Sequence, residues 1–266
     1  MRTLVNPDNS SMIFGQHFSR NWLNSLIKTP NREIGGDFFG KRYTAKLIIP
    51  DYVTHITGHY RDIITGNFAD FCYKAEVPFS LVHFGVVIEF IDAVELTLHD
   101  DELNMDKGLH HLIADVGVVI IKNAYMNTKL RKVGHRNRFP HLNFHVDRSA
   151  NQPTHYSMYA RDPFDEEQQH PRTSSTLFIP NIVGHLQGIR DGVVDPLKDK
   201  GVRTTYHLFE NSPVTELIND LIIEHRWDEP HGVGEISMLD NTTLLHSSYY
   251  RDFLETGYKI GVRYLA

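Results

Sequence analysis

Three residues of this chain could do metal-centred chemistry if the fold brings them together. His145 and Asp147 lie in Phe139-Pro-His-Leu-Asn-Phe-His-Val-Asp-Arg148, and His246 ends Asp240-Asn-Thr-Thr-Leu-Leu-His246. Two imidazoles and one carboxylate are the ligand set of non-haem Fe(II) oxygenase sites, which leave metal positions open for a co-substrate and oxygen. On a strand, residues i and i+2 point to the same side. His145 and Asp147 can therefore serve one ion, and His246, on a distant strand-like segment, can close the triad.

The His-x-acid pattern has little weight alone. With 17 histidines and 33 acidic residues in 266, chance matches are expected, and His99-Asp-Asp101 is one, in a polar, turn-like run. In isolation His145 and Asp147 read as a hydrogen-bonded pair. The downstream sequence changes that reading.

From Val116 to the C-terminus the chain resembles the taurine dioxygenase and clavaminate synthase-like Fe(II)/2-oxoglutarate-dependent oxygenases. The resemblance rests on four ordered landmarks: His145-Val-Asp147, Ser175-Thr-Leu-Phe178, Asp240-Asn followed by His246, and the basic strand Lys259-Ile-Gly-Val-Arg263. It implies that His145, Asp147 and His246 bind iron. It also implies that Arg263 holds the distal carboxylate of 2-oxoglutarate, with Thr176 adding a hydroxyl and Lys259 near a second basic position. A guanidinium suits a carboxylate bidentately. The spacing from His246 to Arg263 is longer than the family pattern, and Arg251 is a competing anchor. The chemistry implied is oxidative decarboxylation to succinate and CO2, with O2 as oxidant, coupled to attack on a substrate C–H bond. Related halogenases replace the metal carboxylate with a small residue, so Asp147 favours hydroxylation over halogenation. Desaturation and cyclisation use the same triad. Phe144-His-x-Asp-Arg148, Tyr156-Ser-x-Tyr-x-Arg-Asp-Pro163 and Pro171–Thr176 are similar to the free-amino-acid hydroxylase and halogenase group, which implies a small, amino-acid-like substrate. Substrate-facing candidates are Arg148, His141, Asn143 and Tyr159, with Arg161 and Arg172 as further ones. Each has an ordinary alternative as a core or surface polar residue. A cupin-like protein that holds metal without turnover is the competing class.

The elements that must position these residues can be read from periodicity. Trp22, Leu23, Leu26 and Ile27 predict a helix ending at Pro30, and Tyr52, Ile56, Tyr60, Ile63 and Ile64 predict another after Pro50. Gly85–Ile91 and Val116–Ile121 are β-branched and strand-like, with a short helix between them over 105–114. Strands are predicted at 142–148, 155–161, 174–179, 203–209, 235–239, 242–246 and 258–265. Ser212-Pro213 caps a helix carrying Val214, Leu217, Ile218, Leu221 and Ile222. The fold class is α+β, mainly β: a double-stranded β-helix (jelly roll, cupin-like) braced by N-terminal helices. We read one domain over 1–266, with 1–80 mostly helical support and 81–266 a jelly-roll core carrying a helical insert near 212–227. The polar stretch 149–172 has the composition of a lid or an ordinary solvated loop.

Composition narrows the function classes. With 41% hydrophobic residues the chain can bury a sizeable core. The net charge is −6 and no dense basic run suggests a nucleic-acid partner. One cysteine, Cys72, excludes an internal disulfide and a cysteine-based metal site. No apolar run approaches the roughly 18 residues of a membrane helix, and no leader-like apolar segment begins the chain. A cytoplasmic setting is the expectation.

Overall fold

The computed structural model describes residues 16–29, 32–50, 84–96, 112–113, 115–126, 131–133, 142–147, 155–161, 163, 174–180, 222–230, 232–250 and 260–265; 142–145 and 260–265 are placed by backbone and register. Helix α1 is Arg20–Ile27, and Leu23, Leu26 and Ile27 of its predicted stripe are buried. The strands are β1 Ile34–Phe38, β2 Lys41–Ile48, β3 Phe84–Leu96, β4 Gly117–Met126, β5 Arg131–Val133 and β6 Leu142–His145. They continue as β7 Tyr156–Arg161, β8 Ser174–Pro180, β9 Ile223–Arg226, β10 Glu235–Asp240, β11 Leu244–Tyr250 and β12 Ile260–Leu265.

Among the described residues these strands form two sheets. The larger has the order β1-β2-β3-β4-β10-β7-β12-β5, and the smaller β6-β11-β8-β9. From β5 to β12 the chain passes back and forth between them, and β7 lies between β10 and β12 while β11 lies between β6 and β8. That is the double-sheet order of a jelly roll. The first four strands extend the larger sheet, with β3 and β4 parallel. No helix of the described residues is long and apolar enough to cross a membrane.

Strand alternation gives the larger sheet two different faces. Val86, Ile121, Met158, Ile236 and Met238 pack on one side in a core shared with Phe18, Leu23 and Leu26. The other side looks toward the smaller sheet. There Val118, Ile120 and Leu239 meet Phe178, Ile223 and Leu244. Further along the same inner face the residues become polar: Tyr159, Arg161, Ser237 and Glu235 alternate with the outer-core residues Met158, Ala160 and Ile236.

Several expectations change. The stretch 34–48, within the segment read as mostly helical, is the β1–β2 hairpin. Its turn is Phe39-Gly40, both at positive φ (51° and 77°), with Gly40 N–H donating to Asp37 Oδ1 at 2.8 Å. Positive φ at both loop residues is the geometry of a tight two-residue hairpin. Residues 223–226, inside the expected helical insert near 212–227, form strand β9; Ile223 and His225 are buried while Arg226 is exposed. That alternation of period two overrides the helical stripe once a sheet edge is available. Leu112, Ile113, Asp115 and Val116 are helical, and the rest of the helix expected over 105–114 lies outside the described residues. The helix after Pro50, strand 203–209 and the helix from Ser212 lie outside the described residues.

One ionic cluster ties the sheets together. Glu235 on β10 is fully buried. Its carboxylate accepts from Arg161 Nη1 at 2.7 Å, Lys122 Nζ at 3.0 Å, His225 Nε2 at 3.1 Å and the Glu229 N–H at 3.2 Å. Burial pushes the His225 imidazole below its ordinary value, so it donates as a neutral ring. Burial alone would raise the Glu235 carboxyl, but the His225 hydrogen bond and the Lys122 charge hold it below the usual range. Removing the carboxylate would take the charged partner from the buried Arg161 guanidinium. Glu235→Ala is expected to lower stability by about 3–5 kcal/mol, measured by urea unfolding. A loss under about 1 kcal/mol, as for exposed pairs, would refute this account. Because the folded value is depressed, this stabilisation is complete above the unfolded value of about 4.3 and disappears as pH falls through the folded one. The stability gap between wild type and Glu235→Gln should therefore close in that acid range.

Candidate metal and co-substrate site

His246 sits on β11, a central strand of the smaller sheet, and is buried. Its Cα partner on β6 is His145. Two strands far apart in sequence thus place the two histidines side by side, as neighbours across an antiparallel ladder are. Asp147 follows β6 by two residues. Its Oδ1 lies 3.5 Å from His246 Nε2. Two donors about 2.1 Å from one ion are roughly 2.9–3.4 Å apart, depending on geometry, so this pair has close to the spacing of ligands sharing a metal.

The Asp147 backbone is clamped. Its N–H donates to Asn241 Oδ1 at 2.8 Å, and its carbonyl accepts from Asn241 Nδ2 at 2.7 Å. Asn241 itself is buried and its N–H donates to the His155 carbonyl at 2.7 Å. Asp240 shapes the turn before β11 by accepting from the Thr242 N–H at 2.9 Å and the Thr242 hydroxyl at 2.6 Å. The Asp240-Asn241 landmark thus has a mechanical role. One residue makes the turn and the next ties it to the carboxylate-bearing segment.

Tyr159, from β7 of the facing sheet, completes the cluster. Its hydroxyl donates to Asp147 Oδ2 and lies 2.9 Å from His246 Nε2. The two rings pack with centroids 5.5 Å apart. Thr176 is buried on β8, where its Oγ1 accepts from Trp227 Nε1 at 2.8 Å. Trp227 in turn stacks on His225 at 4.0 Å. In β12 the Cα partner of Tyr159 is Val262, and that of Arg263 is Met158, a residue of the outer core. Asn143 lies in β6. Arg148, His141, Lys259, Arg172 and Arg251 are outside the described residues. Arg161 is engaged with Glu235.

Sequence reasoning missed two buried hydroxyls, Ser157 and Ser237, which have no hydrogen-bond partner among the described residues. Ser237 is the Cα partner of Tyr159, and Ser157 is two residues from it, so both belong to the inner face. Asp228, Glu229 and Glu235 also bring carboxylates together, but the Lys122 ammonium already occupies that cluster at 3.0–3.3 Å from each.

No family profile and no curated protein matches this sequence. Among solved structures, the chain is similar to a taurine dioxygenase from Burkholderia xenovorans, at 12% identity over 68% of this chain and 86% of that one, with a TM-score of 0.35. It is also similar to PvcB, an Fe, alpha-ketoglutarate dependent oxygenase from an isonitrile synthetic pathway, at 9% identity, 68% and 85% coverage and a TM-score of 0.38. AAD-2 in complex with Mn(II) and N-oxalylglycine gives 12% identity, 68% and 93% coverage and a TM-score of 0.36. The jelly-roll order and the donor spacing stand on this chain's own geometry.

Breaking the clamp should loosen the site without touching a donor atom. Asn241→Ala is expected to weaken binding of a divalent metal by about 10- to 100-fold, the usual range for residues that orient metal ligands. Isothermal titration with Mn(II) would measure it. Unchanged affinity in a folded variant would show that Asp147 does not depend on Asn241.

Proposed function

We propose that this protein is an Fe(II)/2-oxoglutarate-dependent oxygenase that hydroxylates a C–H bond of a small polar metabolite, of the amino-acid type. One observation carries the reading: the cross-strand pair His145 and His246, with the Asp147 carboxylate 3.5 Å from His246 Nε2. The donor set suits the group. Imidazole and carboxylate are ordinary ligands for iron, and three protein ligands leave positions for a chelating co-substrate and oxygen. When bound, iron with 2-oxoglutarate and O2 supplies the oxidant and releases succinate and CO2.

The chain's own contribution is binding, orientation and exclusion of water. His145, Asp147 and His246 hold the metal. Asn241 holds the Asp147 backbone, and Tyr159 holds one carboxylate oxygen. Thr176 and Arg263 bind the distal carboxylate of the co-substrate, with Lys259 as a second cation beside it. In the β12–β7 register Arg263 pairs with Met158 rather than Tyr159. Arg148, His141 and Asn143, on or beside the His145 strand, face the substrate in this reading. Asp147 occupies the position that would have to be vacated for a halide, which supports hydroxylation. The resemblance to the amino-acid group and the acidic balance of the chain support a small-molecule substrate over a nucleic acid.

Anaerobic addition of Fe(II) and then 2-oxoglutarate should give a visible charge-transfer band. Asp147→Ala and His246→Ala should abolish it. Arg263→Ala should keep the iron but require about 10- to 100-fold more 2-oxoglutarate, the cost of a charge-assisted hydrogen-bond pair. Iron bound with no band in wild type would instead identify a metal-binding protein without this chemistry.

A further inference from the structure

We infer that Tyr159 is itself an iron ligand in the co-substrate-free site, an inference that rests on the metal-site reading above. The hydroxyl is placed among the donor atoms rather than behind them. It contacts Asp147 Oδ2 and lies 2.9 Å from His246 Nε2, while Asp147 Oδ1 lies 3.5 Å from the same nitrogen. An ion bound through Nε2 comes within bonding range of the hydroxyl that now contacts the same nitrogen. The 2.9 Å separation is that of two adjacent ligands, which for bonds of about 2.1 Å at right angles are roughly 3 Å apart.

Tyr159 is also held near the metal position by its own strand. It belongs to β7, which is flanked on both sides by β10 and β12, and its ring packs on His246 and against Trp227. Its neighbours Met158 and Ala160 are anchored in the outer core. A strand held on both edges offers less freedom than a loop, so the phenol oxygen stays near the metal position. Phenol oxygen is a competent iron ligand, as in tyrosine-ligated haem. Ligation releases the phenol proton to solvent, in the way that metal binding generally displaces protons from its ligands. The resting site is then His145, Asp147, His246 and Tyr159, and one fewer position is open until the phenolate departs.

The test uses the full chain. Fe(II) is bound without oxygen, bound iron is measured, and the iron is oxidised by air with 2-oxoglutarate omitted. A ferric phenolate absorbs in the visible, and excitation in that band enhances tyrosinate ring vibrations. We expect both signals in wild type, a band shift when the chain is made with 3-fluorotyrosine, and loss of both in Tyr159→Phe at unchanged iron content. The phenylalanine ring keeps the packing on His246, and matched thermal unfolding midpoints would establish that the variant is folded. Bound iron without the band, or a band that survives in Tyr159→Phe, overturns Tyr159 ligation and leaves the three-ligand site standing. Failure of the folded wild type to bind iron overturns both. Should Tyr159→Phe not fold, Tyr159→His offers a second variant, in which the tyrosinate vibrations must vanish.

Discussion

The buried carboxylate of Glu235 is the interaction on which the geometry between the two sheets most depends. A charge taken out of water is tolerated only when its partners are arranged around it. Here those partners come from different elements: Arg161 on β7, Lys122 on β4 and His225 on β9 of the facing sheet. The arrangement sets how β9 sits over β10 and β7. At another level of the same interlayer, Leu239 and Val118 meet Leu244 and Phe178. Tyr159 and His246 lie between these two kinds of contact, one from each sheet. Their hydroxyl-to-nitrogen distance is therefore set by the sheet separation as much as by local backbone.

Strand parity explains why one layer can be dry and the next reactive. On β7, Met158 and Ala160 belong to the outer core while Tyr159 and Arg161 look inward. On β10 the same rule sends Ile236 and Met238 out and Glu235, Ser237 and Leu239 in. A slip of one residue would bury the outer apolar set among charges, so the register is strongly specified. The site inherits that specification without needing long-range design of its own.

Much of this was legible in the sequence, for identifiable reasons. His145, Asp147 and the Asp240-Asn241-to-His246 run are polar residues inside otherwise apolar, strand-like segments, and such residues stand out because burial demands a reason for them. Helix α1 was legible from its stripe, and the strands at 84–96, 117–126, 156–161 and 235–240 from their β-branched or alternating character. The β1–β2 hairpin was not. Its turn residues are Phe39 and Gly40, and an exposed phenylalanine at positive φ is no ordinary turn signal. Strand β9 was hidden because Ile222 and the residues before it also fit a helical stripe, and only the buried Ile223, His225 and Trp227 show the period-two pattern. Ser157 and Ser237 carried no sequence signal by themselves; a serine in a strand gains meaning only once its face is known.

The two buried histidines of the smaller sheet differ in which neighbours receive the ring. His225 and His246 are both buried in the smaller sheet, and each has a carboxylate from another strand or segment close by. At His225 the carboxylate is shared with Arg161 and Lys122, so its charge is already balanced and a metal would add an uncompensated one. At His246 the nearby carboxylate belongs to Asp147, which also accepts from the Tyr159 hydroxyl. The charge balance around Glu235 therefore argues against a cation at His225, and the proposed metal site rests on His246, whose Nε2 faces a carboxylate and a hydroxyl.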